Sequence, residues 1–405
     1  MSIGIYTLTS ALHDAESVSS MTNAFLESLN INYDLQEDDF RNYGYHTLEL
    51  IYIRTGGTEG IFKRLLPNLR TKSHHSFYLL TSGHSNSLAA SMEILSFLRQ
   101  QGLSGEILHG KPSYITARVK LLERVQFIRQ SLRGKRLGII GAPSDWLISS
   151  NFNKVFIKKE LDIDLLDIPI EELIREINSS DDTVSLSGSI KSIPSHLKSV
   201  FPGAVNIYKG LKSIIHTYQL HGFTIRCFDL LEKVHNTGCL ALAKLNSEGI
   251  VSGCEGDVPS LITMMLGHSL TGFSGFQANP SRIDPETGEL LFAHCTIPLN
   301  MVEHYEYDTH FESGIGIGIR GYMKEGPVTI FKLSGDLTRC FIAEGELLRS
   351  ESASDLCRTQ QVIKLKDKNQ VRYFITTPIG NHHIILPGHH QTILEALVNQ
   401  KDFKF

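Results

Sequence analysis

Apolar residues along the first two thirds of the chain alternate between a spacing typical of strands and one typical of helices. The stretch TLELIYIR at 47–54 is nearly continuously apolar, as in a strand whose sheet is covered on both faces. Residues 13–29 instead place Val18, Met21, Phe25 and Leu29 at helical spacing. We expect further strands at 2–9, 77–81, 106–109, 136–142, 163–168, 223–229 and near 250, and further helices at 60–69, 88–101, 113–132, 171–177, 204–220 and 237–245. This alternation predicts doubly wound, mostly parallel sheets in two α/β domains, 1–134 and 135–276.

The pattern changes after about residue 276, where helical spacing nearly disappears. Short strand candidates lie at 290–293, 304–308, 315–322, 328–333, 339–346, 362–365 and 373–377, before one helix at 391–398. Turn signals such as KEGP at 324–327 separate them. Short strands at this spacing predict a compact antiparallel barrel or sandwich over 277–405. A polar run rich in serine and threonine at 178–199 is expected to be a loop.

Composition narrows the possible functions. The chain has 405 residues, more than one hydrophobic core usually serves, so two or three domains are expected. A net charge of −4, without blocks of like charge, argues against nucleic-acid and anionic-membrane partners. No apolar run reaches membrane-spanning length, and MSIGIYTLTSAL lacks the basic start of a signal peptide, so we expect a cytoplasmic protein. Six cysteines without CxxC spacing indicate reduced, buried thiols.

Acidic and imidazole side chains follow predicted strands at places far apart in the sequence. Glu255 and Asp257 come directly after the apolar run at 251–254, and His294 ends the run ELLFAH. A second source of imidazole is the pair His382 and His383. Ligands of open α/β sheets gather at the ends of strands. Carboxylates with imidazoles suit Mn²⁺, Co²⁺ or Mg²⁺ better than they suit structural zinc, so we predict a divalent-metal site.

Each of these residues also has a structural explanation, which the sequence alone leaves open. Asp257 stands where the N-cap of the helix around SLITMMLGH is expected. Glu255 precedes a glycine and suits a solvated turn. A single histidine among apolar residues, as His294 is, more often makes a hydrogen bond inside a core. The joint occurrence of these residues with a distant histidine pair favours the metal site.

Three further motifs each have two interpretations. Gly56 and Gly57 suit a tight turn better than a phosphate site, because neither GxGxxG nor GxxxxGK[ST] is present. Trp146, the only tryptophan, stands at an expected strand-to-helix junction, where it either stacks on a sugar or packs on the sheet. His310 precedes a glycine-rich stretch that either brings polar groups to a pocket or forms a twisted strand.

Together these motifs resemble the L-fucose isomerase and L-arabinose isomerase superfamily, and more closely its shorter fucose isomerase-related members. The segments that carry the resemblance are GCEGD at 253–257, FQANP at 276–280, AHCT at 293–296, HFES at 310–313 and GNHH at 380–383, with weaker similarity at 56–59, 86–87 and 143–146. The resemblance implies two Rossmann-like domains followed by a small antiparallel β-barrel domain. It also implies a homotrimer or homohexamer with the active site near a subunit interface.

The resemblance further implies an activity and a set of metal ligands. Enzymes of this family interconvert aldoses and ketoses through an enediol on a divalent cation, commonly Mn²⁺. Carried over to this chain, Glu255 is the first carboxylate and a metal ligand. His294 supplies one imidazole, and His382 or His383 supplies the other.

The second carboxylate of the family is where this chain departs from the pattern. Asn279 stands near its expected position, and its carbonyl oxygen can bind metal but cannot act as a base. Asp257, Asp284 and His310 are the candidates to replace the missing group, and Asp257 is our second catalytic candidate. The residues expected to bind the sugar are Trp146, Asn86, His310 and Gln277.

The sequence therefore predicts a metal-dependent isomerase that acts on a free fucose-like or arabinose-like sugar. A related activity, such as epimerisation, is the alternative within the enzymes. A sugar-binding or regulatory paralogue on the same scaffold is the alternative outside them.

Overall fold

The computed structural model describes residues 1–72, 76–179 and 193–399, which form two compact units. The first unit comprises Met1–Ser131 and the end of the chain from Glu395, and the second comprises Leu132–Leu394. The three-domain division therefore stays a prediction. No helix in the described ranges is both long and apolar enough to cross a membrane. The centre of the serine-rich run, 180–192, lies outside the described residues.

The first unit is built on one parallel sheet. Its elements are β1 (Ile3–Leu8), α1 (Ala15–Ser28), β2 (Asp34–Glu37), β3 (Leu48–Ile53), α2 (Glu59–Lys72), β4 (Phe77–Leu80), α3 (Ser87–Gln100), β5 (Gly105–Leu108) and α4 (Pro112–Leu132). The strand order is β2-β1-β3-β4-β5. The central strand β3 is almost entirely buried, as its apolar run predicts. Strand β2 was not predicted, because its sequence DLQE is polar and only an edge position accommodates it.

The second unit contains a parallel four-stranded sheet. Its elements are β6 (Arg136–Ile140), α5 (Lys154–Leu161), β7 (Asp164–Ile168), α6 (Ile170–Ser179), α7 (Phe201–Tyr218), β8 (Gly222–Ile225), α8 (Asp229–Val234), α9 (Cys239–Ser247), β9 (Val251–Cys254) and α10 (Val258–Thr271). The strand order is β7-β6-β8-β9. The prediction that a helix begins at 143–146 was wrong. The chain stays irregular until Asn153, whose side chain caps α5 by accepting from the Phe156 amide. The strand expected at 223–229 ends at Ile225.

A closed antiparallel barrel follows in the same unit. Its elements, with the flanking ones, are β10 (Phe276–Asp284), β11 (Glu289–His294), β12 (Val302–Asp308), β13 (Gly318–Met323), β14 (Gly326–Leu333), β15 (Cys340–Glu351), β16 (Thr359–Leu365), α11 (Val371–Thr376), β17 (His383–Pro387) and α12 (Gln391–Asn399). The barrel order is β10-β11-β16-β15-β14-β17, and β12 pairs with β13 outside it. The predicted parallel sheets and antiparallel barrel are confirmed. Their grouping into two Rossmann-like domains and a barrel domain stays a prediction.

One strand prediction in this region was wrong. Residues 373–377 lie in and just after α11 rather than in a strand. The Asp367 side chain accepts from the Asn369 amide and starts a tight helical turn that runs directly into α11. The helix then places Phe374 edge-on against Phe341 of β15, with ring centroids 5.1 Å apart. A short apolar run that fits a strand pattern can therefore be buried equally well in a short helix.

The barrel and the helices beside the parallel sheet share one apolar core. Phe276, Phe292 and Ile330 of the barrel belong to the same buried cluster as Phe201 of α7 and Leu240 of α9. Each is at most 6% exposed. Close packing of this kind leaves little freedom for one layer to move against another. The end of β9 and the ends of the barrel strands are therefore held in a fixed relation.

Candidate metal centre

The turn after β9 fixes the direction of Glu255. Glu255 has a left-handed backbone, φ 64°, and Gly256 follows at φ 70°. Non-glycine residues rarely adopt such angles, and they cluster at functional sites. A Cβ at position 256 would lie 2.5 Å from the Ala142 carbonyl oxygen, so glycine is required there. The Ser144 amide donates to the Glu255 carbonyl at 2.9 Å and locks the turn.

Gln277 of β10 holds the end of β9 from the barrel side. Its Oε1 accepts from the Cys254 amide at 2.9 Å, and its Nε2 donates to the Cys254 carbonyl at 3.4 Å. The Gln277 side chain thus makes the hydrogen bonds to the Cys254 backbone that a neighbouring strand would otherwise make. Because its amide is engaged with the backbone, Gln277 contributes to the site by positioning Glu255. Its expected contact with a sugar stays a prediction.

Glu255, His294 and His382 converge from three strand ends. Glu255 Oε1 lies 3.4 Å from His382 Nε2 and 3.7 Å from His294 Nε2. All three side chains are buried, and one ligand atom from each lies within 4.8 Å of the other two. Ligand atoms around one ion with bonds of about 2.1 Å lie roughly 3–3.4 Å apart, so small adjustments would suffice to coordinate an ion. The structure brings together one predicted carboxylate and two predicted imidazoles.

Two nitrogens of this cluster have no hydrogen-bond partner within the part of the chain that is described. They are His382 Nε2 and His294 Nδ1, and both are buried. Buried polar atoms are nearly always paired, so unpaired ones require an explanation. A ligand that accepts lone pairs, such as a metal ion, is one explanation for the nitrogen that faces Glu255.

The carboxylates and imidazoles of the cluster shift one another's pKa values. Burial alone would raise the pKa of Glu255, but the His382 and His294 imidazoles hold it well below its usual range. Burial disfavours the charged form of His382, yet the Glu255 and Asp257 carboxylates raise its pKa to about 9. Two carboxylates therefore flank this imidazole and stabilise one positive charge between them. A divalent ion would supply that charge in place of a proton.

His383 points away from the cluster. Its Nδ1 donates to the Asn381 carbonyl at 3.0 Å, and its Nε2 accepts from the Tyr373 hydroxyl at 3.0 Å. Burial, followed by the charge of Lys332, lowers its pKa to about 3, so the ring is neutral. Both ring nitrogens are engaged. Of the two histidines expected at a metal, His382 is the one with a nitrogen directed at Glu255.

Asp257 is the N-cap of α10, the structural explanation that its position allowed. Its Oδ1 accepts from the Ser260 amide at 2.8 Å, and its Oδ2 accepts from the Ser260 hydroxyl at 2.7 Å. Oδ2 also accepts from His382 Nδ1 at 2.9 Å. The carboxylate is fully buried and does not line the cavity beside Glu255. Asp257 therefore contacts the candidate centre through His382.

A small cavity of about 40 Å³ opens beside Glu255 and His294. Five of the six cysteines line it, namely Cys227, Cys239, Cys254, Cys295 and Cys357. Its polar wall includes Asn279, His310 and Glu312. The Asn279 side-chain oxygen accepts from Asn381 Nδ2 at 3.0 Å. Asp284, a candidate for the second carboxylate, lies instead in the exposed β10–β11 hairpin, where it accepts from the Glu286 amide.

Glu312 is a charged lining residue that the sequence did not single out. It lies on the loop between β12 and β13, and it is the one carboxylate besides Glu255 among the described residues that line the cavity. The available signal was the segment HFES before three closely spaced glycines, of which Gly314 and Gly316 adopt positive φ. Such a loop places a polar residue at a site without apolar periodicity.

Trp146 and His310 both pack against Phe228. Trp146 Nε1 donates to Glu255 Oε2 at 2.6 Å, and its ring meets Phe228 edge-on at 4.7 Å while staying 49% exposed. His310 packs edge-on against Phe228 at 5.5 Å and pairs with the Ser313 hydroxyl at 3.0 Å. Asn86 belongs to the first unit, where it is exposed and left-handed before α3. Sugar binding by these three residues stays a prediction.

Acid should destabilise the metal-free protein through His310. Burial, followed by the His294 charge, lowers its pKa from 6.5 to about 4. The unfolded chain then binds more protons between those values, so this contribution is full above pH 6.5 and is lost as pH falls towards 4. The loss amounts to about 2 kcal/mol at pH 5. Urea titrations with chelator at about pH 7.5 and 5 measure how much the free energy of unfolding falls between the two pH values. This fall should be smaller in His310→Gln than in the parent.

The matched control is His216→Gln, which changes an exposed histidine of α7 in the same unit. This variant should keep the parent's pH dependence. Equal losses in His310→Gln and the parent would show that His310 does not carry the effect.

Comparison with known proteins gives relatives of one kind. No family model matches the chain. The chain is similar to the sulfoquinovose isomerase of Priestia aryabhattai, 22% identical over 298 residues, which cover 66% of this chain and 63% of the relative. The protein of that name from Alkalicoccus urumqiensis is 23% identical over 286 residues, covering 65% and 63%. That of Clostridium sp. (strain MSTE9) is 26% identical over 129 residues, covering 31% and 27%.

The chain thus matches 63% of the length of the first two relatives. All three are named as sugar isomerases. The resemblance to the L-fucose and L-arabinose isomerase superfamily stays a prediction at these identities.

Proposed function

We propose that this protein is a metal-dependent isomerase that interconverts the aldose and ketose forms of a free sugar through an enediol. The observation that carries the proposal is the convergence of the buried residues Glu255, His294 and His382, in which His382 Nε2 makes no hydrogen bond and lies 3.4 Å from Glu255 Oε1. The names of the relatives, which are sugar isomerases, support it. The expected homotrimer or homohexamer and the cytoplasmic location stay predictions.

The donor set fits a divalent cation. Glu255 Oε1 and one nitrogen each from His294 and His382 would hold it, with Mn²⁺ as the first choice and Co²⁺ or Mg²⁺ as alternatives. When bound, such an ion would act as a Lewis acid on the carbonyl oxygen of the sugar and so make the proton on the neighbouring carbon more acidic. The two imidazoles favour a transition metal over Mg²⁺, and the carboxylate suits Mn²⁺.

The proton itself must move between C1 and C2 on a group of the protein, and Glu312 suits this role better than Glu255. Both oxygens of Glu255 are occupied, since Oε2 accepts from Trp146 and Oε1 faces the two imidazoles. Glu312 is exposed, lines the same cavity, and has no ion pair within the described chain. A carboxylate without such partners is available to accept a proton and return it. Glu312 thus takes the role that Asn279 cannot perform.

The lining of the cavity favours an uncharged sugar. None of the described residues around it is a lysine or an arginine, and two are carboxylates. A sulfonate or phosphate entering here would find no lysine or arginine to pair with among these residues. The part of the substrate that enters the cavity is therefore neutral, as in a fucose-like or arabinose-like aldose.

Sugar binding without turnover is the second candidate. Asn279 favours it, because an amide cannot act as a base and its oxygen already accepts from Asn381. A paralogue that keeps the metal ligands and lacks the second carboxylate would bind a sugar and leave it unchanged. The role of Glu312 decides between the two candidates.

Metal analysis of the purified protein, joined to a sugar screen, tests the proposal. We expect about one divalent ion per chain, since the described residues offer one cluster of three ligands. We expect turnover of L-fucose, L-arabinose or a related neutral aldose, loss of turnover with EDTA, and recovery with Mn²⁺. Saturable sugar binding without turnover would favour the second candidate. A protein that neither retains nor takes up a divalent ion would contradict the proposed mechanism.

A further inference from the structure

We propose that Lys332 is a positioning residue for the metal centre: through Asp257 it fixes the ring of His382 and thereby sets the affinity of the centre for a divalent cation. The inference rests on the proposed function, because it concerns the same cluster. It assigns a role to a buried cation on a barrel strand that the sequence did not single out.

Lys332 is an ammonium buried inside the second unit. It lies near the end of β14 and is 1% exposed. Its Nζ donates to the Ser260 hydroxyl at 2.9 Å and lies 3.6 Å from Asp257 Oδ2. Lysine is almost never fully buried unless it is paired, because removing the charge from water is costly. The pairing with Asp257 therefore accounts for its position.

Asp257 passes this constraint to His382. Its Oδ2 accepts from the Ser260 hydroxyl at 2.7 Å and from His382 Nδ1 at 2.9 Å. A carboxylate only accepts, so Nδ1 carries the proton and Nε2 is left to bind an ion. Nε2 then lies 3.4 Å from Glu255 Oε1, inside the cluster. Metal-binding histidines are commonly oriented by a carboxylate in this way.

The chain of contacts connects three different elements. Lys332 belongs to β14, Asp257 and Ser260 form the start of α10, and His382 immediately precedes β17. The Leu333 amide donates to the Thr263 hydroxyl at 3.2 Å and fixes β14 against α10 beside the ammonium. Removing the ammonium would take away one of the two cationic groups beside the buried Asp257 carboxylate and leave it with the His382 imidazole alone, which is unfavourable. Asp257 would then shift or bind water, and the ring of His382 would lose its fixed direction.

The test is the Mn²⁺ affinity of the metal-free protein, measured by calorimetry without any sugar. Lys332→Met keeps the length of the buried stem and removes the charge. We expect its affinity to fall by about 10- to 100-fold, the range found when the support of a metal-binding histidine is removed. The visible spectrum of the Co²⁺-loaded protein should change as well, because the ligand geometry changes. Lys364→Met, at an exposed position of β16, is the matched control and should match the parent in both measurements.

Asp257→Asn provides a second, independent variant. Asparagine keeps the volume and can still cap α10, but it lacks the charge that pairs with Lys332. We expect a loss of Mn²⁺ affinity of similar size to that of Lys332→Met. The double variant should lose little more than either single variant, because Lys332 acts through Asp257.

Each result of these measurements either supports or overturns the role of Lys332. A parent protein that binds no Mn²⁺ overturns the proposed function and this inference with it. A parent that binds Mn²⁺, beside a folded Lys332→Met variant of equal affinity, overturns this inference alone. Where Lys332→Met does not fold, an unchanged affinity in Asp257→Asn overturns the inference, and a 10- to 100-fold loss supports it. Losses that add fully in the double variant also overturn it.

Discussion

Replacing Glu255 by glutamine should strongly weaken metal binding and slow turnover. The substitution keeps the size of the side chain and the acceptor for Trp146, but it removes the carboxylate that faces the two imidazoles. A direct ligand is lost, so the fall in Mn²⁺ affinity should exceed the roughly 10- to 100-fold cost of losing a supporting partner. Turnover should fall by at least about 10²-fold. Calorimetry with Mn²⁺ and initial rates on the aldose identified by the screen provide the two measurements.

The control for Glu255→Gln is Glu286→Gln, the same change at an exposed position of the β10–β11 hairpin. It should keep the parent's affinity and rate. An undiminished Mn²⁺ affinity in Glu255→Gln would place the ion elsewhere. An unchanged rate despite weaker Mn²⁺ binding would show that the ion does not take part in the reaction.

Replacing Glu312 by glutamine should separate turnover from metal binding. Glu312 lines the cavity but is not one of the three clustered ligands, so Mn²⁺ affinity should stay within about twofold of the parent. Loss of the proton-carrying group should lower kcat by about 10²- to 10⁴-fold. Exchange of the sugar's carbon-bound proton with deuterated solvent should slow to the same extent, because turnover and exchange both require removal of that proton.

The matched control is Glu303→Gln, at an exposed position of β12 in the same part of the chain. It should change neither kcat nor exchange. Normal exchange in Glu312→Gln would exclude Glu312 as the proton carrier. The catalytic role would then return to Glu255, the other carboxylate beside the cavity.

The fold was predictable where burial dominates the pattern and unpredictable where it does not. Strand β3 is covered on both faces, so its sequence is a continuous apolar run. Strand β2 lies at an edge, and its polar sequence carries no such signal. Helix α11 has the opposite problem, since its apolar residues satisfy a strand pattern while a cap at Asp367 starts a helix. Short apolar runs do not distinguish the two structures.

The candidate centre was predictable in its ligand types and less so in its geometry. Glu255, His294 and His382 lie at strand ends, which is a feature that the sequence reveals. The choice between His382 and His383 depends on which ring meets Tyr373, a contact between neighbouring elements. Tertiary structure likewise decides that Asp257 contacts the centre through His382.

Glu312 could not be derived from the sequence for a related reason. Its loop has no periodicity, and its place beside the cavity depends on how β12 and β13 are anchored. The same holds for Lys332, since a lysine in a barrel strand is usually expected to face solvent. Only the packing of β14 against α10 shows that its ammonium is directed inwards.

Strand β17 closes the barrel by pairing with β10 on one side and β14 on the other, and His382 immediately precedes it. The pairing that closes the barrel therefore also places His382, the third candidate ligand. During synthesis Glu255 and His294 are made before His382, so the three side chains cannot come together until residue 382 has been added. Pairing between strands far apart in the sequence forms slowly. Binding of an ion would therefore indicate that β17 has paired with β10 and β14 in the correct register.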